Sequence, residues 1–184
     1  MKSALAIVGL TAALLSAPAV GAAPGWKVFR ESAGAYVLNY PAAFHISPAR
    51  GQACSNGDCR PLEEAILSGP EGSMTLVVQR GINPKQLAVR DWYQALVHRP
   101  LDPSMERIAT VAGRDAVRRG PFAPGAVVRS VNGKVVSRTS GMLPDDTIFL
   151  PLGASDILTV VVHARTPAAN AAFDRILASL RVGG

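Results

Sequence analysis

The run Ile157–Ala164 is almost continuously apolar, and it restricts the possible folds more than any other feature of this sequence. A short apolar run rich in Val is expected of a strand in the centre of a sheet. Residues 147–152, shortly before it, form a second strand-like segment. The chain is therefore predicted to be built around a β-sheet, with residues 157–164 as a central strand.

Segments with alternating apolar residues predict further strands nearer the N-terminus. Residues 26–31 and 35–40 are predicted as two strands, and Tyr36, Leu38 and Tyr40 share one face of the second by period-two alternation. Three more segments are predicted as strands, namely residues 45–47, 62–67 and 73–79.

Two β-hairpins are predicted between residues 108 and 139. The first turns near Gly113. The second turns at Asn132-Gly133, the strongest short hairpin signal, which favours a type I′ turn. The register that this turn implies pairs Val131 with Lys134, Arg129 with Val136, and Val127 with Arg138. The three charged residues are then expected on one face, which meets solvent.

Two segments carry the i, i+3, i+4, i+7 spacing of apolar residues that indicates an amphipathic helix. The first is predicted to begin with Asn83 as N-cap and Pro84 in the first turn, and to stop before Pro100. The second is predicted to begin with Thr166 as N-cap and to end at Gly183. The stripes predicted to face the core are Val89, Trp92, Tyr93 and Leu96 in the first helix, and Phe173, Ile176, Leu177 and Leu180 in the second.

Many strands joined by hairpins, together with two helices, predict an α+β fold with a mainly antiparallel sheet flanked by helices. Strands and helices do not alternate strictly, which disfavours the parallel sheet of nucleotide-binding proteins. The hydrophobic content is 48% and the sequence has no low-complexity run or internal repeat, so one ordered domain is expected.

Residues 1–22 are typical of a cleaved secretory signal peptide. Lys2 provides a positive start, residues 4–15 are apolar, and small residues lead up to Ala22. The alternative, an uncleaved membrane anchor, is disfavoured because the strongly apolar part is well short of the ~20 residues that a spanning helix needs. We expect cleavage after Ala22 and a periplasmic or secreted single domain over residues 23–184.

The two cysteines, Cys54 and Cys59, lie in a Gly-, Ser-, Asn- and Pro-rich segment, residues 48–60, which is predicted to form a loop. An even cysteine count in an exported chain predicts a disulfide, and the intervening Asn-Gly favours a tight turn. A zinc site needs about four ligands, and only His45 lies nearby. A structural disulfide is the main interpretation, and a redox-active bond is the alternative.

Positive charge is concentrated in residues 107–138. Without the predicted signal peptide the chain has 18 Lys and Arg against 13 Asp and Glu, a balance of +5, and residues 107–138 alone carry +6. The favoured interpretation is a solvated strand face that keeps the protein soluble. The alternative is a surface for an acidic protein or an anionic membrane, with no nucleic acid partner. That surface consists of Arg118, Arg119, Arg129, Lys134 and Arg138.

Three segments resemble those of PsbP-like proteins, a group that includes the extrinsic photosystem subunit PsbP and a Ran-binding nuclear import factor. They are Tyr36-Val37-Leu38-Asn39-Tyr40-Pro41-Ala42-Ala43-Phe44, Val111-Ala112-Gly113-Arg114-Asp115-Ala116 and Phe173-Asp174-Arg175-Ile176-Leu177-Ala178-Ser179-Leu180. The resemblance covers most of residues 26–182 and implies an α/β/α sandwich around an antiparallel sheet. It also implies a non-enzymatic accessory or binding protein. No functional residue carries over, because the matching positions belong to the scaffold.

No catalytic, phosphate-binding or calcium-binding motif is recognisable in the sequence, so no cofactor or metal is predicted. The histidines are far apart in sequence and are His45, His98 and His163. Glu63-Glu64 and Asp145-Asp146 are pairs in sequence only, whereas acid–base catalysis needs pairing in space. Asp145-Asp146, next to Pro144, is predicted as a turn.

Three functional hypotheses follow. The leading one is an exported, non-catalytic periplasmic accessory or binding protein, which combines the signal peptide, the PsbP-like pattern and the lack of a catalytic motif. The alternative is a periplasmic hydrolase that gathers histidines and carboxylates in space. The third is a stress-related or redox role through Cys54 and Cys59.

Overall fold

The computed structural model describes residues 24–55, 58–120, 123–131, 134–143, 145–153, 155–164 and 166–183, and describes the backbone alone for residues 51–55, 58–61, 123–131, 134–143 and 145. The predicted signal peptide lies outside the described residues and stays a prediction. The elements, in chain order, are β1 (Trp26–Arg30), β2 (Tyr36–Pro41), β3 (His45–Ser55), β4 (Asp58–Gly69), β5 (Gly72–Gln79), α1 (Val89–Val97), β6 (Glu106–Val111), β7 (Arg114–Arg119), β8 (Ala123–Val131), β9 (Lys134–Leu143), β10 (Asp145–Pro151), β11 (Ile157–Ala164), α2 (Pro167–Ala178) and β12 (Arg181–Val182).

A seven-stranded antiparallel sheet forms the centre of the fold, in the order β3-β4-β5-β11-β10-β7-β6. β11 is its middle strand and pairs with β5 on one side and β10 on the other. The prediction that Ile157–Ala164 is a central strand is therefore confirmed. Its side chains are buried on both faces, with Leu158, Val160 and Val162 on one face and Ile157 on the other.

A smaller sheet of three strands, in the order β1-β2-β12, lies over one face of the large sheet. The predicted face of β2 is confirmed, because Tyr36, Leu38 and Tyr40 are all buried in one core with residues of β4 and β5. β12 was not predicted. The second helix ends at Ala178 rather than Gly183, and the chain then pairs with β2 at Arg181. A two-residue strand is too short to show any periodicity.

The large sheet separates two cores, as expected when helices flank both faces. On one face α2 and the smaller sheet cover a core that includes Ile148, Val160 and Phe173. On the other face α1 covers a core that includes Trp92 and Val117. Alternating residues of the same strands thus enter different cores. This arrangement confirms the predicted α+β class.

The prediction of a loop over residues 48–60 is wrong. β3 and β4 pair from His45 opposite Ser68 to Ser55 opposite Asp58, so residues 48–55 and 58–60 belong to paired strands. Backbone pairing outweighs the weak strand propensity of Gly, Ser and Asn. Pro48 is tolerated because β3 is an edge strand, where a missing N–H breaks no ladder.

The first helix begins at Val89, not at Pro84, and its N-cap Ala88 makes no side-chain capping bond. The side chain of Asn83 closes a loop instead. Its Oδ1 accepts from Leu87 N at 3.0 Å and its Nδ2 donates to Leu87 O at 2.8 Å. The predicted stripe is correct for Val89, Trp92 and Tyr93, which are buried, whereas Leu96 is half exposed.

The β8–β9 hairpin has the predicted register only at its end. Val131 opposes Lys134 as expected, but a β-bulge between Arg129 and Ser130 shifts the remaining pairs by one residue. Arg129 therefore opposes Ser137, and Arg138 opposes Val128. A bulge adds one residue to one strand, which no periodic pattern reveals. The register that aligned three charges on one face is wrong beyond it.

Candidate functional site

A cleft with a volume of about 390 Å³ lies between the β1–β2 turn and the β3–β4 edge of the large sheet. We call it the inter-sheet cleft. Apolar groups on its walls come from Phe29, Tyr36, Pro48 and Ala65. The other lining residues are Arg30, Glu31, Ser32, Ala49, Arg50, Glu63 and Glu64.

Glu31 directly follows β1 at the inner part of this cleft and is 6% exposed. Its carboxylate accepts hydrogen bonds from the backbone N–H groups of Ala33 at 2.9 Å and Ala35 at 2.9 Å, and from the Ser32 hydroxyl at 3.0 Å. Gly34 supplies the positive φ, 76°, that the turn requires. The turn thus holds the Glu31 carboxylate in a fixed position.

Glu63 of β4 places a second carboxyl group next to the Glu31 carboxylate. Arg80 joins this pair, because its Nη2 donates to Glu63 Oε2 at 3.0 Å and its Nη1 to Asp156 Oδ2 at 3.2 Å. Glu63 and Asp156 therefore share one guanidinium group, on which the charge of Glu31 also acts. Negative charge therefore exceeds positive charge around Glu31 and Glu63, the two members of this cluster that line the cleft.

The pKa of Glu31 reflects these contacts. Burial by itself raises the pKa, but the interaction with Glu63 and the hydrogen bonds from the turn outweigh burial and lower it to about 2. Glu31 is therefore a carboxylate across the physiological pH range. The neighbouring Tyr36 hydroxyl has a raised pKa, because it is buried and lies near the charges of Glu31 and Glu63. It stays a hydrogen-bond donor.

Arg50 of β3 lies directly opposite Glu63 in the β3–β4 register, so the two side chains project from the same face of the sheet. Among the described residues, no ion pair joins Arg50 to a carboxylate. Arg50 is exposed, the Glu63 side chain is 25% exposed and Glu31 is buried. Charge thus changes from positive at the rim of the cleft to negative inside.

The arrangement suits reversible binding of a small organic molecule. The volume falls within the ~300–1,000 Å³ of typical ligand pockets, which combine apolar walls with a few polar groups. Here Phe29 and Pro48 provide apolar surface, while Glu63 and Arg50 provide directional polar contacts.

The predicted basic surface is divided at β7. Arg118 Nε donates to Asp146 Oδ2 at 2.6 Å and its Nη2 to Asp174 Oδ1 of α2 at 3.3 Å. Arg119, the next residue, lies on the other face, where its charge acts on Tyr93 of α1. The structure therefore does not bring Arg118 and Arg119 together. The side chains of Arg129, Lys134 and Arg138 lie outside the described part of the chain.

The prediction of a turn at Asp145-Asp146 is wrong, because β10 begins at Asp145. The buried Asp146 carboxylate pairs with Arg118, which explains how a charged residue enters this strand. The cysteine side chains are not described, so the disulfide stays a prediction. The backbone register nevertheless places Cys54 directly opposite Cys59.

None of the three histidines lines the inter-sheet cleft. His45 lies on β3, His98 follows α1 and His163 lies on β11. In the part of the chain that the structure describes, no three His, Cys, Asp or Glu side chains gather to hold a metal ion. That part also contains no helix with the length and apolarity needed to cross a membrane.

Sequence reasoning missed the Glu31–Glu63 pair. It considered Glu63 only with its neighbour Glu64, although adjacent strand residues point to opposite faces. One local signal for the position of Glu31 was present. An acidic residue two positions before Ala33 in a tight turn can accept hydrogen bonds from the backbone N–H groups of that turn. The pairing with Glu63 depends on how the two sheets pack, which no local pattern contains.

Comparison with known proteins returned no matching family model and no matching curated protein sequence. A solved structure from Bacteroides thetaiotaomicron VPI-5482 is similar, with a TM-score of 0.49 and 11% sequence identity over 86% of this chain. The match covers 48% of that structure, so this chain spans about half its length. Cyanobacterial PsbP (CyanoP) from Synechocystis sp. PCC 6803 is also similar, with a TM-score of 0.46 and 11% identity over 92% of this chain and 98% of that one. The structural comparison thus returns, as a loose similarity, the family that the sequence resembles.

Proposed function

We propose that the chain is an exported, non-catalytic binding protein whose ligand occupies the inter-sheet cleft. The observation that carries this proposal is a cleft of ligand size in which apolar walls surround Tyr36, Glu63 and Arg50. Export is supported by the signal-peptide pattern of residues 1–22. The sequence resemblance to PsbP-like proteins implies a role of the same kind.

The hydrogen bonding of the cleft favours binding over catalysis. Both oxygens of Glu31 are occupied by donors of the β1–β2 turn, so this carboxylate serves to shape the site. Arg50 carries no ion pair within the described residues and is free to contact a ligand.

A neutral fluorescent dye, N-phenyl-1-naphthylamine, tests whether the cleft binds apolar molecules. The mature wild-type protein is expected to bind it saturably. Pro48→Trp places an indole at the cleft wall and is expected to weaken binding at least tenfold. Thr110→Trp is the matched control, because Thr110 is also exposed on an edge strand but lies on β6. Equal binding by Pro48→Trp and wild type, or no binding by wild type, would contradict the proposal.

A periplasmic hydrolase is the second candidate, and the Glu31–Glu63 contact is the observation that favours it. Two carboxyl groups in contact, one with a lowered pKa, are an arrangement used in acid–base catalysis. Turnover of chromogenic ester and glycoside substrates that Glu63→Gln abolishes would support this candidate. If the wild-type protein turns over none of these substrates, or if Glu63→Gln turns them over as fast as wild type, the hydrolase candidate is contradicted.

A further inference from the structure

We infer that the inter-sheet cleft binds a zwitterion, an α-amino acid with an apolar side chain. Its ammonium group lies at Glu63, its carboxylate at Arg50, and its side chain against Phe29 and Tyr36. This inference rests on the proposed function, because it names the ligand class of the same cleft.

The inner part of the cleft selects a cation. Glu31, Glu63 and Asp156 all act on Arg80, which leaves more negative than positive charge in a partly buried cluster. An excess of negative charge in a partly buried cluster is unfavourable, and a cation in the cleft reduces it. An ammonium group provides one positive charge and three hydrogen-bond donors, which match the Glu63 carboxylate. A carboxylate at this position is repelled by the same cluster.

The rim of the cleft selects an anion. Arg50 is exposed, lines the cleft and carries no ion pair among the described residues. A guanidinium group binds a carboxylate through two parallel hydrogen bonds and keeps its charge at any physiological pH. A ligand carboxylate at the rim is therefore bound by Arg50.

The spacing of the two charges favours a compact zwitterion. Arg50 and Glu63 are directly opposite across an antiparallel pair, where Cβ atoms lie ~5 Å apart. In an α-amino acid the ammonium and carboxylate groups are attached to one carbon, so the molecule can join the two side chains. Its side chain then meets the rings of Phe29 and Tyr36, whose centroids are 6.0 Å apart.

Three probes that differ in one charged group each test the inference. They are L-phenylalanine, which has both charges, 2-phenylethylamine, which has only the ammonium, and 3-phenylpropanoate, which has only the carboxylate. Binding is measured by titration calorimetry and by displacement of N-phenyl-1-naphthylamine. L-Phenylalanine is expected to bind at least tenfold more tightly than either analogue, and 3-phenylpropanoate is expected to bind most weakly.

Two variants test which residue binds each charged group of the ligand. Glu63→Gln is expected to lower the affinity for L-phenylalanine and 2-phenylethylamine at least tenfold. The affinity for 3-phenylpropanoate is expected not to fall. Arg50→Gln is expected to lower the affinity for L-phenylalanine to that for 2-phenylethylamine. Asp91→Asn is the control, since Asp91 is exposed on α1, across the large sheet from the cleft. Retained binding of the neutral dye shows that each variant is folded and keeps its cleft.

The outcomes separate the two proposals. If the dye binds in the cleft but L-phenylalanine binds no more tightly than 3-phenylpropanoate, the zwitterion inference is overturned and the proposed function stands. If Glu63→Gln and Arg50→Gln change nothing, the assignment of the charges is overturned. If the wild-type protein binds neither the dye nor any of the three probes, both proposals fall.

Discussion

Tyr93 Oη donates a hydrogen bond of 2.7 Å to Glu106 Oε1, and this contact joins α1 to the edge strand β6. The Glu106 side chain is fully buried. Arg99 donates to its two oxygens at 2.7 and 2.9 Å, and the backbone N–H of Asp102 donates at 2.9 Å. Donors from α1 and the segment after it thus converge on one carboxylate, which fixes the helix on the sheet.

Replacing Glu106 is expected to destabilise the protein. Glu106→Gln presents an amide NH₂ to groups that are all donors, so the free energy of unfolding is expected to fall by about 2–3 kcal/mol. Tyr93→Phe removes one donor of several and is expected to cost about 1 kcal/mol. Urea denaturation followed by circular dichroism measures both. A Glu106→Gln protein as stable as wild type would contradict this role.

Stability is expected to decline in acid because of the same carboxylate. Burial alone raises the pKa of Glu106, but hydrogen bonds from Arg99, Asp102 and Tyr93 lower it from 4.5 to about 2. A pKa lowered in the folded state stabilises the protein above pH 4.5, and this stabilisation is lost as the pH falls towards 2. Unfolding free energies measured between pH 7 and 2 should fall less steeply for Glu106→Gln. Parallel curves for variant and wild type would refute the assignment.

Two serine substitutions distinguish a helix cap from a loop closure. Thr166 Oγ1 accepts from Ala169 N at 3.2 Å, and serine caps equally well, so Thr166→Ser is expected to cost less than about 0.5 kcal/mol. Asn83→Ser is expected to cost about 1–2 kcal/mol, because serine cannot bridge both the N–H and the C=O of Leu87. Equal, small losses of thermal stability would indicate that Asn83 acts as a simple cap.

The exported form is expected to contain one disulfide and to begin at Ala23. Cys54 opposes Cys59 in the β3–β4 register, which brings the two residues together across the hairpin. Intact-mass analysis of periplasmic protein, with and without reduction before thiol alkylation, checks both features. Reducing the disulfide is expected to lower the free energy of unfolding by about 2 kcal/mol, because the loop that it closes is short. Retention of residues 1–22 together with two alkylated thiols in the unreduced protein would contradict both expectations.

Sequence patterns predicted the elements whose burial is regular. Ile157–Ala164 and the Phe173 stripe enter the core with fixed periods, and Thr166 caps its helix through a local hydrogen bond. The first helix shows the limit of such reasoning. Asn83 and Pro84 match the start of a helix, but two hydrogen bonds between Asn83 and Leu87 stabilise a loop that delays it.

Long-range pairing decided the features that the sequence did not reveal. The Gly- and Pro-containing segment of β3 is extended because β4 pairs with it, and β12 forms because β2 offers a free edge. The candidate site has the same origin. Glu31 and Glu63 are 32 positions apart and meet only because one sheet packs on the other.

Chemical-shift mapping with L-phenylalanine tests the central claim, that the inter-sheet cleft is the binding site, most directly. In ¹H–¹⁵N spectra of the mature wild-type protein, the account predicts saturable shifts confined to residues 29–36, 48–50 and 63–65, which line the cleft. Shifts confined to another surface, such as residues 82–96 around the exposed Leu87 and Leu96, would contradict it. So would a spectrum unchanged at millimolar ligand.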